Sequence, residues 1–173
     1  MPASYRPHTR DDDEHEHSHS QTLATNLSAS EATVDHVLET KSGDLFTIHP
    51  HETIGRAVEV LRDQRIGALL VVDAEGELVG ILSERDIVRR LADTPGRTLP
   101  QTVAELMTTK LETCTPEDSL VWVLRRMTDG RFRHMPVLED EELIGMISIG
   151  DVVNFRLIAL EYEALKLKQL IVG

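Results

Sequence analysis

Aromatic residues are scarce in this chain: one Trp, two Tyr and three Phe account for 3% of 173 residues, while hydrophobic residues overall reach 40%. Its core must therefore be aliphatic. Cys114 is the single cysteine, so neither an intrachain disulfide nor a multi-cysteine zinc site is available. No apolar run approaches the ~20 residues a membrane-crossing helix needs. The N-terminus is acidic and polar where a signal peptide is basic and then apolar, and a cytoplasmic protein is expected. Positive charge is in deficit, with 18 Lys and Arg against 30 Asp and Glu and a net charge of −12. A nucleic-acid backbone would meet net repulsion. The chain lacks a Gly-x-x-x-x-Gly-Lys-Ser/Thr loop, a Gly-x-Gly-x-x-Gly fingerprint and a His-Glu-x-x-His pair. Nor does any catalytic triad suggest itself, so no enzymatic activity is expected.

The length allows one domain, or two small ones sharing a core. Residues 1–30 hold almost no large apolar side chains, carry Arg6 and Arg10 against five acids, and contain half of the eight histidines. They read as a disordered, solvated tail. Alternate His15, His17 and His19 project to one side of an extended chain and offer a second reading, divalent-metal chelation.

From residue 34 onward the chain repeats itself. At a shift of 66 residues Thr47 falls on Thr113, Pro50 on Pro116, Arg65 on Arg131 and Val71 on Val137. At a shift of 65 the match resumes with Leu78 on Leu143, Gly80 on Gly145, Ser83 on Ser148 and Asp86 on Asp151. Two copies of one unit, aligned with a one-residue gap at an internal turn, account for this register. In each copy a short strand (Leu45 to Ile48, Leu111 to Cys114) leads into a proline. Apolar residues at helical spacing follow (Ile54, Ala57, Val58 and Leu61; Leu120, Val123, Leu124 and Met127) behind the N-cap candidates Thr53 and Ser119. A strand, a tight turn, a second strand and a second helix complete the unit. The expected fold is α+β: two tandem β-α-β-β-α units, 34–93 and 102–156, joined by a 94–101 linker and packed sheet to sheet, with a C-terminal helix over 157–173.

The chemistry-bearing stretch is Gly80-Ile81-Leu82-Ser83-Glu84-Arg85-Asp86, echoed by Gly145-Met146-Ile147-Ser148-Ile149-Gly150-Asp151. Each places a serine at a strand end and an aspartate in the first turn of a helix. The free N–H groups of a helix N-terminus suit a phosphate, and the carboxylate suits two neighbouring hydroxyls, as on a ribose. Ser-x-x-Asp is equally an ordinary capping arrangement, and both roles can coexist. Gly80 and Gly145, three residues ahead, permit close backbone approach.

On these motifs, and on Arg131-Phe132-Arg133-His134-Met135-Pro136-Val137, residues 34–156 resemble a tandem pair of cystathionine-β-synthase-type (CBS) domains, a Bateman module. The resemblance implies a pseudo-symmetric disc with two clefts for adenine nucleotides or related adenosyl ligands. It implies ribose contacts at Asp86 and Asp151, hydroxyl contacts at Ser83 and Ser148, and a purine against Thr47, Ile48, Ile66, Gly67 and Ala68 in the first copy. Thr113, Cys114, Phe132, Arg133, His134 and Met135 are their counterparts in the second. Burial in an apolar strand is the competing reading of Cys114, and a structural role that of His134.

The copies differ. Phe132-Arg133-His134 stands where the first has Ile66-Gly67-Ala68, so Arg131 and Arg133, with Arg85, become phosphate candidates. Pairing with the many acids is the alternative for each arginine. Lys41, in a loop three residues longer than its counterpart, is a weaker candidate. The expected function is a regulatory sensor of AMP, ADP, ATP or NAD(H) that changes conformation or assembly on binding, works as a homodimer and reports to an unidentified target protein. Its rivals are a ligand-independent interaction scaffold and a metal-binding protein using the tail.

Overall fold

Thr53 and Ser119 each stop an extended segment and begin a helix, because their hydroxyls accept the N–H of the residue three positions on, Arg56 or Trp122, both at 3.2 Å. The computed structural model describes residues 31–41 and 43–172. The expected tail and its histidines lie outside the described residues. Elements run in the order α1 (Val34–Leu38), β1 (Thr47–Ile48), α2 (Ile54–Gln64), β2 (Ala68–Val72), β3 (Leu78–Ser83), α3 (Glu84–Asp93), α4 (Val103–Leu106), α5 (Leu120–Gly130), β4 (His134–Glu139), β5 (Glu142–Ser148) and α6 (Ile149–Val172). The architecture is α+β, as expected.

Strand β1 pairs in parallel with β2, which pairs antiparallel with β3. In the second half β4 and β5 form the antiparallel pair, and Cys114 alone takes the place of β1, bridging in parallel to Val137. Both hairpins bulge at the same point, after Val71 and after Val137. The one-residue gap falls in the turns: residues 73–77 join the paired Val72 and Leu78, whereas residues 139–142 join the equivalent Leu138 and Leu143, with Asp140 and Glu141 at positive φ.

Helix α2 buries Ile54, Ala57 and Leu61, and α5 buries Leu120, Val123 and Met127. Val58, expected in the buried stripe, is 37% exposed, and its counterpart Leu124 is half-buried. Leu69 and Val71 of β2 enter the first core. Ala68 and Leu70, on the opposite face, are also fully buried, so this sheet is covered on both sides.

The two cores exchange their leading helices. Val34 and Val37 of α1, with Ala32, belong to the core of the second half, beside Cys114, Leu120, Met135, Ile147 and Phe155. Val103 of α4 belongs to the core of the first half, with Leu106 and Met107 packed against it. Backbone bonds fasten each crossing: Val34 N to Asp118 O at 2.9 Å and Asp35 N to Pro116 O at 3.0 Å, matched by Val103 N to Glu52 O at 2.8 Å and Ala104 N to Pro50 O at 2.9 Å. The glycines of the repeat serve this exchange. A Cβ on Gly80 would lie 2.7 Å from the Met107 sulfur, and one on Gly145 would lie 2.9 Å from Leu38. What approaches the backbone there is the crossing segment of the protein itself.

The 94–101 joint is anchored by the buried Thr98, whose hydroxyl donates to the Thr94 carbonyl at 3.1 Å. The C-terminal helical segment expected over 157–173 falls within α6, which runs unbroken for 24 residues from Ile149 to Val172. No helix among the described residues is long and apolar enough to cross a membrane.

Candidate functional site

At both strand ends the expected Ser/Asp pair closes a reciprocal cap. Asp86 Oδ2 accepts from Ser83 N at 3.0 Å and from the Ser83 hydroxyl at 2.5 Å. Asp151 Oδ2 accepts from Ser148 N at 2.7 Å and from its hydroxyl at 2.8 Å. Capping is therefore present in both halves and does not distinguish them. Their surroundings do.

Around Ser83 and Asp86 lies a cavity of about 410 Å³ between the two halves, in the range of small-molecule sites. One wall is the start of α3, with Gly67 beside it. The other is the 108–112 segment and the turn from Gly130 to His134. Five cations line it, Arg85, Arg89, Lys110, Arg131 and Arg133, against the acids Glu84, Asp86 and Glu112. Glu112 is held by Arg126 at 2.7 Å. A chain of net charge −12 thus gathers a cationic excess in this cleft. Arg131 caps α5 in the left-handed region at φ 56, and its carbonyl accepts from Arg85 Nη1 at 2.9 Å, which joins the two walls.

Around Asp151 the arrangement differs. Lys41 Nζ donates to Asp151 Oδ2 at 2.8 Å and to the Met146 carbonyl at 3.0 Å. Burial by itself would raise the Asp151 pKa, but the bonds from Lys41 and Ser148 outweigh it and hold the carboxyl below its ordinary range. Along the repeat, Gly67, Gly150 and Asn154 occupy the places that Arg133, Arg85 and Arg89 hold in the first cleft.

His134 lines the first cleft, half-buried, with its ring against Gly67, where a Cβ would come within 3.3 Å. Burial lowers its pKa. Asp151 opposes that shift, while Lys41, Arg133 and Arg85 add to it. A histidine whose folded pKa is depressed favours the native state above its unfolded pKa of about 6.5 and loses that contribution as pH falls through the folded value. Wild-type stability should therefore drop below pH 6.5 relative to His134→Gln, by at most about 1.4 kcal/mol per pH unit. Urea unfolding at pH 7.5 and 5.5 measures this, and parallel losses in both proteins would contradict it.

Of the residues named from the sequence, the first cleft brings together Gly67, Ser83, Arg85, Asp86, Arg131, Phe132, Arg133 and His134. Ile48, Ala68, Cys114 and Met135 are core side chains, at most 3% exposed, which leaves a ligand only their main chain. Burial pushes the Cys114 thiol up to about 12, with a smaller contribution from Asp118. Thr47 is exposed on β1, and Ile66 and Thr113 are half-buried. Ser148 and Asp151 lie in the second half with Lys41. Arg89, Lys110 and Thr108 were not anticipated, although Arg89 follows Arg85 by four residues, one helical turn on the same face. Among the described residues no group of three His, Cys, Asp or Glu side chains could hold a metal ion.

Residues 31–93 and 103–157 each match the family model of the CBS domain. The chain belongs to the CBS-domain family. A mitochondrial CBS domain-containing protein of Arabidopsis thaliana is 37% identical over 131 residues, which cover 70% of this chain and 63% of that protein. The chain thus spans less than two thirds of this curated relative's length. A CBS-domain protein of Agrobacterium tumefaciens, solved by crystallography, is 39% identical with a TM-score of 0.71, covering 73% of this chain and 95% of its own. A CBS domain pair crystallised with 5′-methylthioadenosine and S-adenosyl-L-methionine is 26% identical with a TM-score of 0.62, covering 71% and 94%. The CBS pair in this chain is formed by the exchange described above, so that each CBS core borrows the helix preceding the other.

Proposed function

We propose that this CBS pair is a regulatory module that binds an adenine nucleotide, AMP, ADP, ATP or NAD(H), in its first cleft. The observation that carries the reading is the join of the capped α3 N-terminus, with Ser83 and Asp86, to a cluster of five cations across one cavity. Asp86 offers its carboxylate to ribose hydroxyls. The α3 N–H groups and Arg85, Arg131 and Arg133 receive the phosphates. The domain pair solved with methylthioadenosine and S-adenosylmethionine supports an adenosyl ligand, but the cationic cleft of this chain disfavours a sulfonium and favours phosphate. We further read the chain as a cytoplasmic homodimer that signals to a target protein by shifting between arrangements, limited by the ligand's differential affinity for them. It acts as a sensor in this reading, with the Asp86 carboxylate committed to Ser83 and the ribose.

The test is thermal unfolding with AMP, ADP, ATP, NAD(H) and S-adenosylmethionine. A ligand at 100 times its dissociation constant adds ~2.7 kcal/mol. A melting temperature unmoved by every ligand contradicts the reading. A phosphate-bearing ligand should outperform S-adenosylmethionine.

The second cleft is weaker, with Lys41 on its carboxylate and three fewer cations. The Lys41–Asp151 pair is partly exposed, at 36% and 26%, so it is worth up to about 1 kcal/mol. In calorimetric titrations Lys41→Ala should tighten the weaker binding event by at most about fivefold and leave the tighter one unchanged. Loss of the tighter event in this variant would show that the clefts have been assigned the wrong way round.

A further inference from the structure

Helix α6 carries a buried and an exposed apolar stripe, and Ile158, Leu165 and Leu170, 51%, 57% and 80% exposed, lie outside both. Val152, Phe155 and Ala159 are buried as the helix packs against α1, α5 and β5. The second stripe is Val153, Leu157, Leu160, Ala164, Leu167 and Ile171, spaced by four, three, four, three and four residues. Its large members are 42%, 54%, 47%, 60% and 83% exposed. Alternation of four and three is the spacing of a coiled-coil seam. It runs over about 27 Å of helix.

We propose that this seam pairs with the same seam of a second copy of the chain, as a parallel two-stranded coiled coil. The flanking charges choose both the occupant and the direction. In heptad lettering Leu157, Ala164 and Ile171 are a positions, and Val153, Leu160 and Leu167 are d positions. Leu160 and Leu167 at d with the β-branched Ile171 at a suit two strands. In a parallel pair each g residue meets the e residue five positions on in the other chain. This sets Arg156 against Glu161 of the second copy and Glu163 against its Lys168, and both pairs are of opposite sign. The antiparallel pairing with full overlap instead brings Glu161 close to Glu161 and Glu163 close to Glu163, which like-charge repulsion disfavours. The surface is therefore complementary to itself in one direction, as an isologous dimer requires.

The inference deepens the homodimer reading above and makes no use of the nucleotide reading. A flat ligand titration leaves it intact, and a monomeric mass overturns it alone. The experiment is light-scattering mass of the full chain and two variants. The wild-type chain should have the mass of two chains. Leu160→Asp combined with Leu167→Asp, both at exposed positions, should weaken association by more than about a hundredfold while keeping the thermal transition of a folded protein. A wild-type monomer, a higher oligomer, or a folded double variant that stays dimeric overturns the seam. Leu167→Cys should form a covalent dimer on mild oxidation, because equivalent d positions face each other only in the parallel arrangement. The wild-type chain, with its buried Cys114, serves as the control. A dimer in which Leu167→Cys does not cross-link overturns the parallel direction.

Discussion

Asp86→Ala should weaken adenine-nucleotide binding roughly 100-fold, while Asp151→Ala changes the tighter event by no more than about threefold. Hydrogen bonds to a charged acceptor contribute about 1.5–3 kcal/mol each, and a ribose presents two donors to the carboxylate, so ~3 kcal/mol is at stake. Each substitution also removes a capping partner, which costs about 0.5–2 kcal/mol of stability. Because Ser83–Asp86 and Ser148–Asp151 make the same cap, the capping loss should be similar in the two variants; Asp151→Ala additionally loses the Lys41 pair, up to about 1 kcal/mol, so ligand-induced shifts are compared with each variant's own ligand-free melting temperature. At a ligand concentration that raises the wild-type melting temperature by about 5–10 °C, Asp86→Ala should show almost no rise and Asp151→Ala nearly the full one. Equal losses in both variants would mean that the clefts share the ligand equally, against the asymmetry of their cations.

Deleting residues 1–40 should unfold the second CBS core, although the deleted segment precedes the first. Val34 and Val37 are buried at 0% and 2%, and Leu38 packs against the same cluster. Their burial is worth about 5 kcal/mol, comparable with the whole stability of a marginal domain, and the bonds to Pro116 and Asp118 are lost as well. Deleting residues 1–30, which remove almost no large apolar side chains, should change stability by less than about 1 kcal/mol. Urea unfolding of both truncations, followed by fluorescence of Trp122 in the second half, measures the contrast. A 1–40 deletion that unfolds at the wild-type midpoint would contradict the exchange of α1.

The exchange was not legible in the sequence for a physical reason. The repeats are alike, so Val34 finds an equivalent apolar environment whether its helix covers its own sheet or the neighbouring one, and no periodicity distinguishes the two. The hairpins, caps and helix starts were legible because each is decided within a few residues: Thr53 and Ser119 by their hydroxyls, the bulged hairpins by apolar runs on either side of a turn. The Ser/Asp pairs could be read for the same reason. What they face could not, since the cleft is closed by Lys110 and Arg131 from the other half, and Lys41 reaches Asp151 across 110 positions of sequence. Lys110 carried one overlooked signal: it stands three residues after Met107, as Lys41 stands three after Leu38, and those two apolar residues pack on the paired glycines.

The central claim is that one nucleoside phosphate sits in the first cleft, held by Asp86. Native mass spectrometry of the full chain as purified, with identification of any released small molecule, tests it most directly without presuming the ligand. The account predicts an adenine nucleotide at one per chain, absent from Asp86→Ala and retained by Asp151→Ala. A chain that carries no adenosyl ligand and gains none on incubation with AMP, ATP or NAD(H), or one whose nucleotide survives in Asp86→Ala, would contradict it.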